Sequence, residues 1–273
     1  MNNIWVATLL TIRETFSRKI FILFAGVSTL VLLLFGILFI SVSAENFPVV
    51  GTDIQISGMD IGSEISKAIK LFIVNPLYGL GIFLAIFSVS SIIPQMLEKG
   101  NIDLLLSKPI SRTQLILGKF FGGNIVVLAN LTYLIFSLWL MIGIKFGDWD
   151  LTFLWSIVII TFVFAVLYAM IILIGIISNS SILAMMISYL ILLILSPILA
   201  NREFFYQLFE SKIAEFFIDG LYYFIPKTAE ISNIISEINV GMGIEDFQPI
   251  LSSFAFLILN IALSIIIFSK KDY

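Results

Sequence analysis

Six apolar stretches dominate this chain, and the positive charge flanking them lies almost wholly on one side. They run roughly over residues 20–44, 71–97, 115–144, 151–177, 181–199 and 250–268. Each approaches or exceeds the ~20 apolar residues that a helix needs to cross a ~30 Å hydrocarbon core. With both ends in the cytoplasm, that side carries Arg13, Arg18, Lys19, Lys99, Lys108, Arg112, Lys119, Lys270 and Lys271. Its acids are only Glu14, Glu98, Asp103 and Asp272. The other side has six basic and fourteen acidic residues. Lys and Arg next to spans stay inside. The pattern therefore predicts an all-α, multi-pass protein of the cell membrane, with both termini cytoplasmic. Its six transmembrane helices form a single domain over residues 1–273, with an N-terminal interfacial helix and an outer helical hairpin before the last span.

Composition narrows what such a chain can do. It is 60% hydrophobic and 12% charged, more apolar surface than a soluble domain could hide. Spans and loops use up the length, leaving no room for a soluble catalytic domain. The first apolar run ends in a small-residue stretch, Ser41–Ala44, that resembles a signal-cleavage site. Its 25 residues far exceed the ~7–15 of a signal peptide's apolar region, so an uncleaved span is expected. The chain contains no cysteine and no histidine. Metal sites built from those ligands are excluded, as are Ser-His and Cys-His nucleophile pairs. No G-x-x-x-x-G-K-[ST] phosphate loop occurs. Mid-span positions lack ionisable residues, which ion-coupled carriers usually need. Energy for uphill transport is therefore expected to come from a partner. Nucleic acid is not an expected partner.

Local patterns assign roles along the chain. In residues 2–19, Trp5, Leu9, Ile12 and Phe16 are spaced 4, 3 and 4 and form a narrow stripe on a helix. Asn3, Thr11, Glu14 and Arg18 lie on the other side, and Arg13 belongs to the same helix. This predicts an amphipathic helix lying on the membrane, its stripe in lipid and its polar side in the cytoplasm. Residues 45–70 read as an outer loop whose end is helical. Asn75-Pro76 and the Gly79–Gly81 segment should interrupt the second span, and Pro94 should kink it. In the cytoplasmic loop 98–112, Asn101 can cap a short helix. Ile102, Leu105 and Leu106 share one side of that helix, and Pro109 stops it. So short a helix needs a surface to bury its apolar side. The expected surface is a groove on a partner, with Glu98, Lys99, Asp103 and Arg112 on the polar rim; the alternative is packing on the chain's own spans. In the outer region 201–249, amphipathic segments 201–217 and 227–238 flank the run Leu221–Pro226 and suggest a helix-turn-helix at the interface. Asn130 and Asn260 are mid-span polar residues. Interhelical hydrogen bonding is the ordinary role for such groups, and lining a substrate path is the alternative.

Three segments together resemble the type-2 ATP-binding-cassette (ABC) permeases. They are Ile12–Phe16 with Arg18-Lys19; Ile93-Pro94 and Glu98 with Leu104–Arg112 and Leu117–Phe120; and Tyr222–Lys227. Within that family the chain is similar to the branch that includes the permease of the nitrous-oxide-reductase maturation system. The resemblance implies an elbow helix, a coupling helix between spans two and three, a permease homodimer and separate cytoplasmic ATPase subunits. This chain would bind no cofactor, and ATP and magnesium would sit in the partner. An exporter in contact with membrane lipid is the expected function. The rivals are a secondary transporter or channel acting alone, and a membrane anchor for a cytoplasmic ATPase.

Overall fold

The computed structural model describes residues 3–17, 19–41, 61–106, 110–209 and 212–271. Arg18, Pro109, residues 42–44 of the expected first span and residues 45–60 of the expected outer loop lie outside the described residues. All regular structure among the described residues is helical. Among the described residues, six helical segments are long and apolar enough to cross a membrane: Phe21–Ser41, Ser66–Met96, Arg112–Phe146, Leu151–Ser178, Ser181–Ala200 and Gln248–Lys270. Six crossings put both ends of the chain on one face, called here the termini face; the opposite one is the far face.

The first helix, α1 (Asn3–Phe16), precedes the first span, α2 (Lys19–Ser41). The second span is built in pieces. α3 (Ile61–Pro76) continues into a π-helical turn, Leu77–Gly81, then α4 (Ile82–Val89) and α5 (Ile92–Met96). Asn75-Pro76 and Gly79–Gly81 were expected to interrupt this span, but the helix widens there and continues. Its break falls at Ser90-Ser91. Pro94 has no N–H for the carbonyl of Ser90, and its ring crowds that carbonyl.

After α6 (Asn101–Leu106) comes the third span, α7 (Arg112–Phe146). It starts at a reciprocal capping box between Ser111 and Gln114 and stops at Gly147, whose φ of 72° lies in the left-handed region that favours glycine. Asp150 caps the 3-10 turn Leu151–Leu154 that leads into the fourth span, α8 (Trp155–Ser178). The fifth span is α9 (Ser181–Leu190), a π-helical turn and α10 (Ser196–Ala200).

Helices α7 and α8 form the centre. Leu131, Ile135, Leu138, Phe164, Leu167 and Tyr168 are almost wholly buried. α1 lies along α7, and the last span, α14 (Gln248–Lys270), lies along α8. By contrast α2 and α14 expose apolar rows, such as Leu30, Leu33 and Ile37, or Leu251 and Ile258. In lipid these rows cost nothing, since acyl chains are as apolar as leucine.

The far-face region between spans five and six contains three described helices, α11 (Arg202–Phe209), α12 (Lys212–Phe224) and α13 (Thr228–Asn239). Two segments were expected there. The expected 201–217 segment is represented by α11 and α12, and the aromatic run 221–224 belongs to the end of α12 rather than to a turn. The turn comes only at residues 225–227, because the residue before Pro226 is pushed out of the α region.

Candidate coupling site

The segment between spans two and three emerges on the termini face. Glu98, Lys99, Asn101 and Asp103 are exposed along it and form a polar ridge. The Asn101 amide donates back to the Gln95 carbonyl at 2.9 Å, tying α6 to the end of α5. The carbonyl of Glu98 accepts from the backbone N–H groups of Asn101 and Ile102. Ile102 is only 3% exposed and Leu105 packs beside it, both against the chain's own core. Ile102 and the partly buried Leu105 are thus covered within the chain, and α6 ends at Leu106. Beside the ridge lies a groove of about 480 Å³. Pro94, Gln95 and Glu98 line one wall, and Asn179, Ser180 and Ser181, from the turn between spans four and five, line the other.

Arg112 points inward from the rim. Its guanidinium donates to the carbonyls of Phe268 and Ser269 in the last turn of α14 and of Lys271 just after it. Of the rim set, Glu98, Lys99 and Asp103 face outward.

Helix α1 docks through small residues. A Cβ on Gly118 would lie 2.4 Å from that of Ala7, and one on Gly122 would lie 2.5 Å from that of Thr11. Gly118-x-x-x-Gly122 on α7 thus receives Ala7-x-x-x-Thr11 on α1, letting the backbones approach closely. Thr8, Thr11 and Thr15 are buried, and each hydroxyl donates to the carbonyl four residues earlier. Thr11 was expected on the cytoplasmic side of α1; it packs against α7, because a threonine satisfied by its own helix behaves as a small apolar group. Glu14, expected on the same side, forms an ion pair with buried Lys119 at 2.5 Å. Trp5, Leu9 and Phe16 are exposed, and Ile12 packs against the core. Arg13 is exposed at the helix end. The small-residue spacing was visible in the sequence; pairing it with α1 required the fold.

The mid-span asparagines lie inside the helix packing. Ser28 donates to Asn130 Oδ1 at 2.7 Å, joining the first and third spans. Asn260 is 4% exposed and donates to the Phe256 carbonyl of its own helix.

Two charged clusters hold the far face. Lys70 reaches Asp148 at 2.7 Å and Asp150 at 3.0 Å, and Ser66 donates to Asp148. Burial favours protonation of both carboxylates. The Lys70 ammonium and the Ser66 hydroxyl outweigh it at Asp148, as do Thr152 and Lys70 at Asp150, so both stay below the usual carboxylate range. In the second cluster, the Arg202 guanidinium stacks on Tyr222, 3.7 Å from the ring centre, and Lys227 approaches the same ring at 4.3 Å. The Tyr222 hydroxyl donates to Glu230 at 3.2 Å; burial first, and then that carboxylate, push the phenol up to about 12.

The model of the ABC-2 family transporter protein matches residues 18–273. The chain belongs to this family and is a multi-pass membrane permease subunit of an ABC transporter. A search among curated proteins finds no match.

Proposed function

We propose that two copies of this chain form an exporter in the cell membrane, driven by ATP-binding subunits that dock on the termini face. That face is the cytoplasmic one in this reading, as the excess of Lys and Arg beside the spans favours. The observation that carries the reading is the exposed ridge Glu98, Lys99, Asn101 and Asp103 next to the groove between the two termini-face turns. A partner docked there would touch both connections at once and could move spans two to five together. Because Ile102 is already buried, the partner would be held by ridge charges and the groove rather than by the apolar side of α6. ATP and magnesium would bind in the partner. The burial of Asn130 and Asn260 supports a substrate path between two copies rather than through one. The outward direction, and a place near the nitrous-oxide-reductase maturation branch, rest on the resemblance of the loop and flanking motifs.

The test is charge reversal on the ridge, Glu98→Arg together with Asp103→Arg. The permease should still insert, while the ATP-binding subunit that accompanies the wild-type chain from its native membrane should be lost on purification. Undiminished co-purification would remove the ridge from the docking site. Gradient-driven transport by the permease alone in proteoliposomes would favour the secondary carrier.

A further inference from the structure

The last turn of the sixth span is held by a residue that the loop itself positions. Arg112 is the first residue of α7, directly after the segment 98–111, and the Ser111–Gln114 capping box fixes its rotation. One guanidinium nitrogen, Nη1, donates to the carbonyls of Phe268 at 2.9 Å, Ser269 at 3.1 Å and Lys271 at 2.5 Å. The guanidinium carbon lies 5.8 Å from the Phe268 ring centre. These carbonyls belong to the helix end, where the final four lack partners within the helix and the dipole is negative.

The chain of contacts continues. Lys271, whose carbonyl Arg112 holds, donates from Nζ to the carbonyl of Ile176 at 2.5 Å, in the last turn of α8. Three residues further on, Asn179 and Ser180 line the groove opposite Gln95 and Glu98. The contacts therefore run from the start of span three to the end of span six and on to the end of span four, which carries the wall of the groove facing the loop. A surface arginine kept for docking would not need its charge spent on three carbonyls of another span.

We propose that Arg112 is a positioning residue that transmits displacement of the 98–111 loop to the end of the sixth span. This rests on the reading of the loop as the docking element for an ATP-binding subunit. A rigid α7 start carries Arg112 with the loop, and the multiple hydrogen bonds carry the end of α14 with Arg112. Lysine at this position keeps the charge but ends one bond short of Nη1 on a more flexible stem, so it should transmit only partly.

The test is amide hydrogen exchange on the full permease purified with its ATP-binding subunit, without nucleotide and with magnesium and a non-hydrolysable ATP analogue. In the wild type, nucleotide should change exchange at residues 98–106 and at residues 266–271. In Arg112→Gln the loop should still respond, and the nucleotide-dependent difference at 266–271 should be lost. Arg112→Lys should restore part of it. A static cap would raise exchange at 266–271 equally in both states and keep the difference; that result overturns the proposal. If the glutamine variant does not assemble, an undiminished difference in the lysine variant overturns it and a reduced one supports it. A wild-type loop that ignores nucleotide would instead overturn the docking reading, and the proposal with it.

Discussion

Lys70 and Lys227 are about equally deep in the far face, 2% and 3% exposed, yet they are accommodated in different ways. Lys70 meets two carboxylates within 3.0 Å. Lys227 meets the faces of Tyr222 and Tyr223 and donates to Ser252 at 2.8 Å, with no ion pair found for it among the described residues. Burial pushes the Lys227 ammonium below its usual range, and Arg202 adds to this against the opposing pull of Glu230 and Asp246. The first cluster joins span two to the short turn between spans three and four, which two long helices hold at its ends. The second joins the short helices to each other and to the start of α14. Where long spans meet a tight turn, the charge is neutralised directly. Where they are short, aromatic faces and hydroxyls share it, at a lower cost when the geometry shifts.

Removing the cation of the first cluster should have the largest effect. Lys70→Met leaves Asp148 and Asp150 without their partner. The loss should be about 3 kcal/mol, at the lower end for a broken buried pair because the carboxylates retain some water. Thermal unfolding of the purified permease in mild detergent measures it. The pH profile sharpens the contrast. Both carboxylates titrate below the ordinary 3.8 when folded. Their contribution is therefore full above that value and is lost as the pH falls through the depressed folded values. Lys70→Met should flatten this acid loss; an unchanged acid limb would mean that the pairs do not set it.

Tyr222→Leu comes next, at about 2 kcal/mol, since it removes the surface on which Arg202 and Lys227 rest and the hydrogen bond to Glu230. Proteolysis of intact α11–α13 should quicken while the spans stay protected. Equal loosening of the spans would break the distinction between the two clusters.

Lys227→Met should change stability least, by less than about 1 kcal/mol, because lost cation–π contact offsets relieved desolvation. A depressed folded value means that the unfolded chain binds more protons in the window below 10.5, so wild-type stability rises with pH through that window. The methionine variant should lose the rise. A loss as large as that of Lys70→Met would erase the comparison.

Sequence alone determined the number of spans, their limits within a few residues and the placement of charge beside them, because crossing lipid demands long apolar helices whatever their neighbours. It also marked a short helix near Asn101, although the Asn101 side chain donates back to the Gln95 carbonyl rather than capping the helix. Only the tertiary structure decided which side of a helix meets what. Thr11 was read as solvated and is buried, because Gly118 and Gly122 open a slot 107 to 111 residues away along the chain that no local pattern can locate. Arg112 was read as a rim charge and is turned onto carbonyls of the last span, 156 to 159 residues distant. Ile102 was read as a partner's contact and is buried against the chain's own core. Periodicity tells that a face must be covered; what covers it depends on contacts between distant segments, and these exist only once the spans have packed.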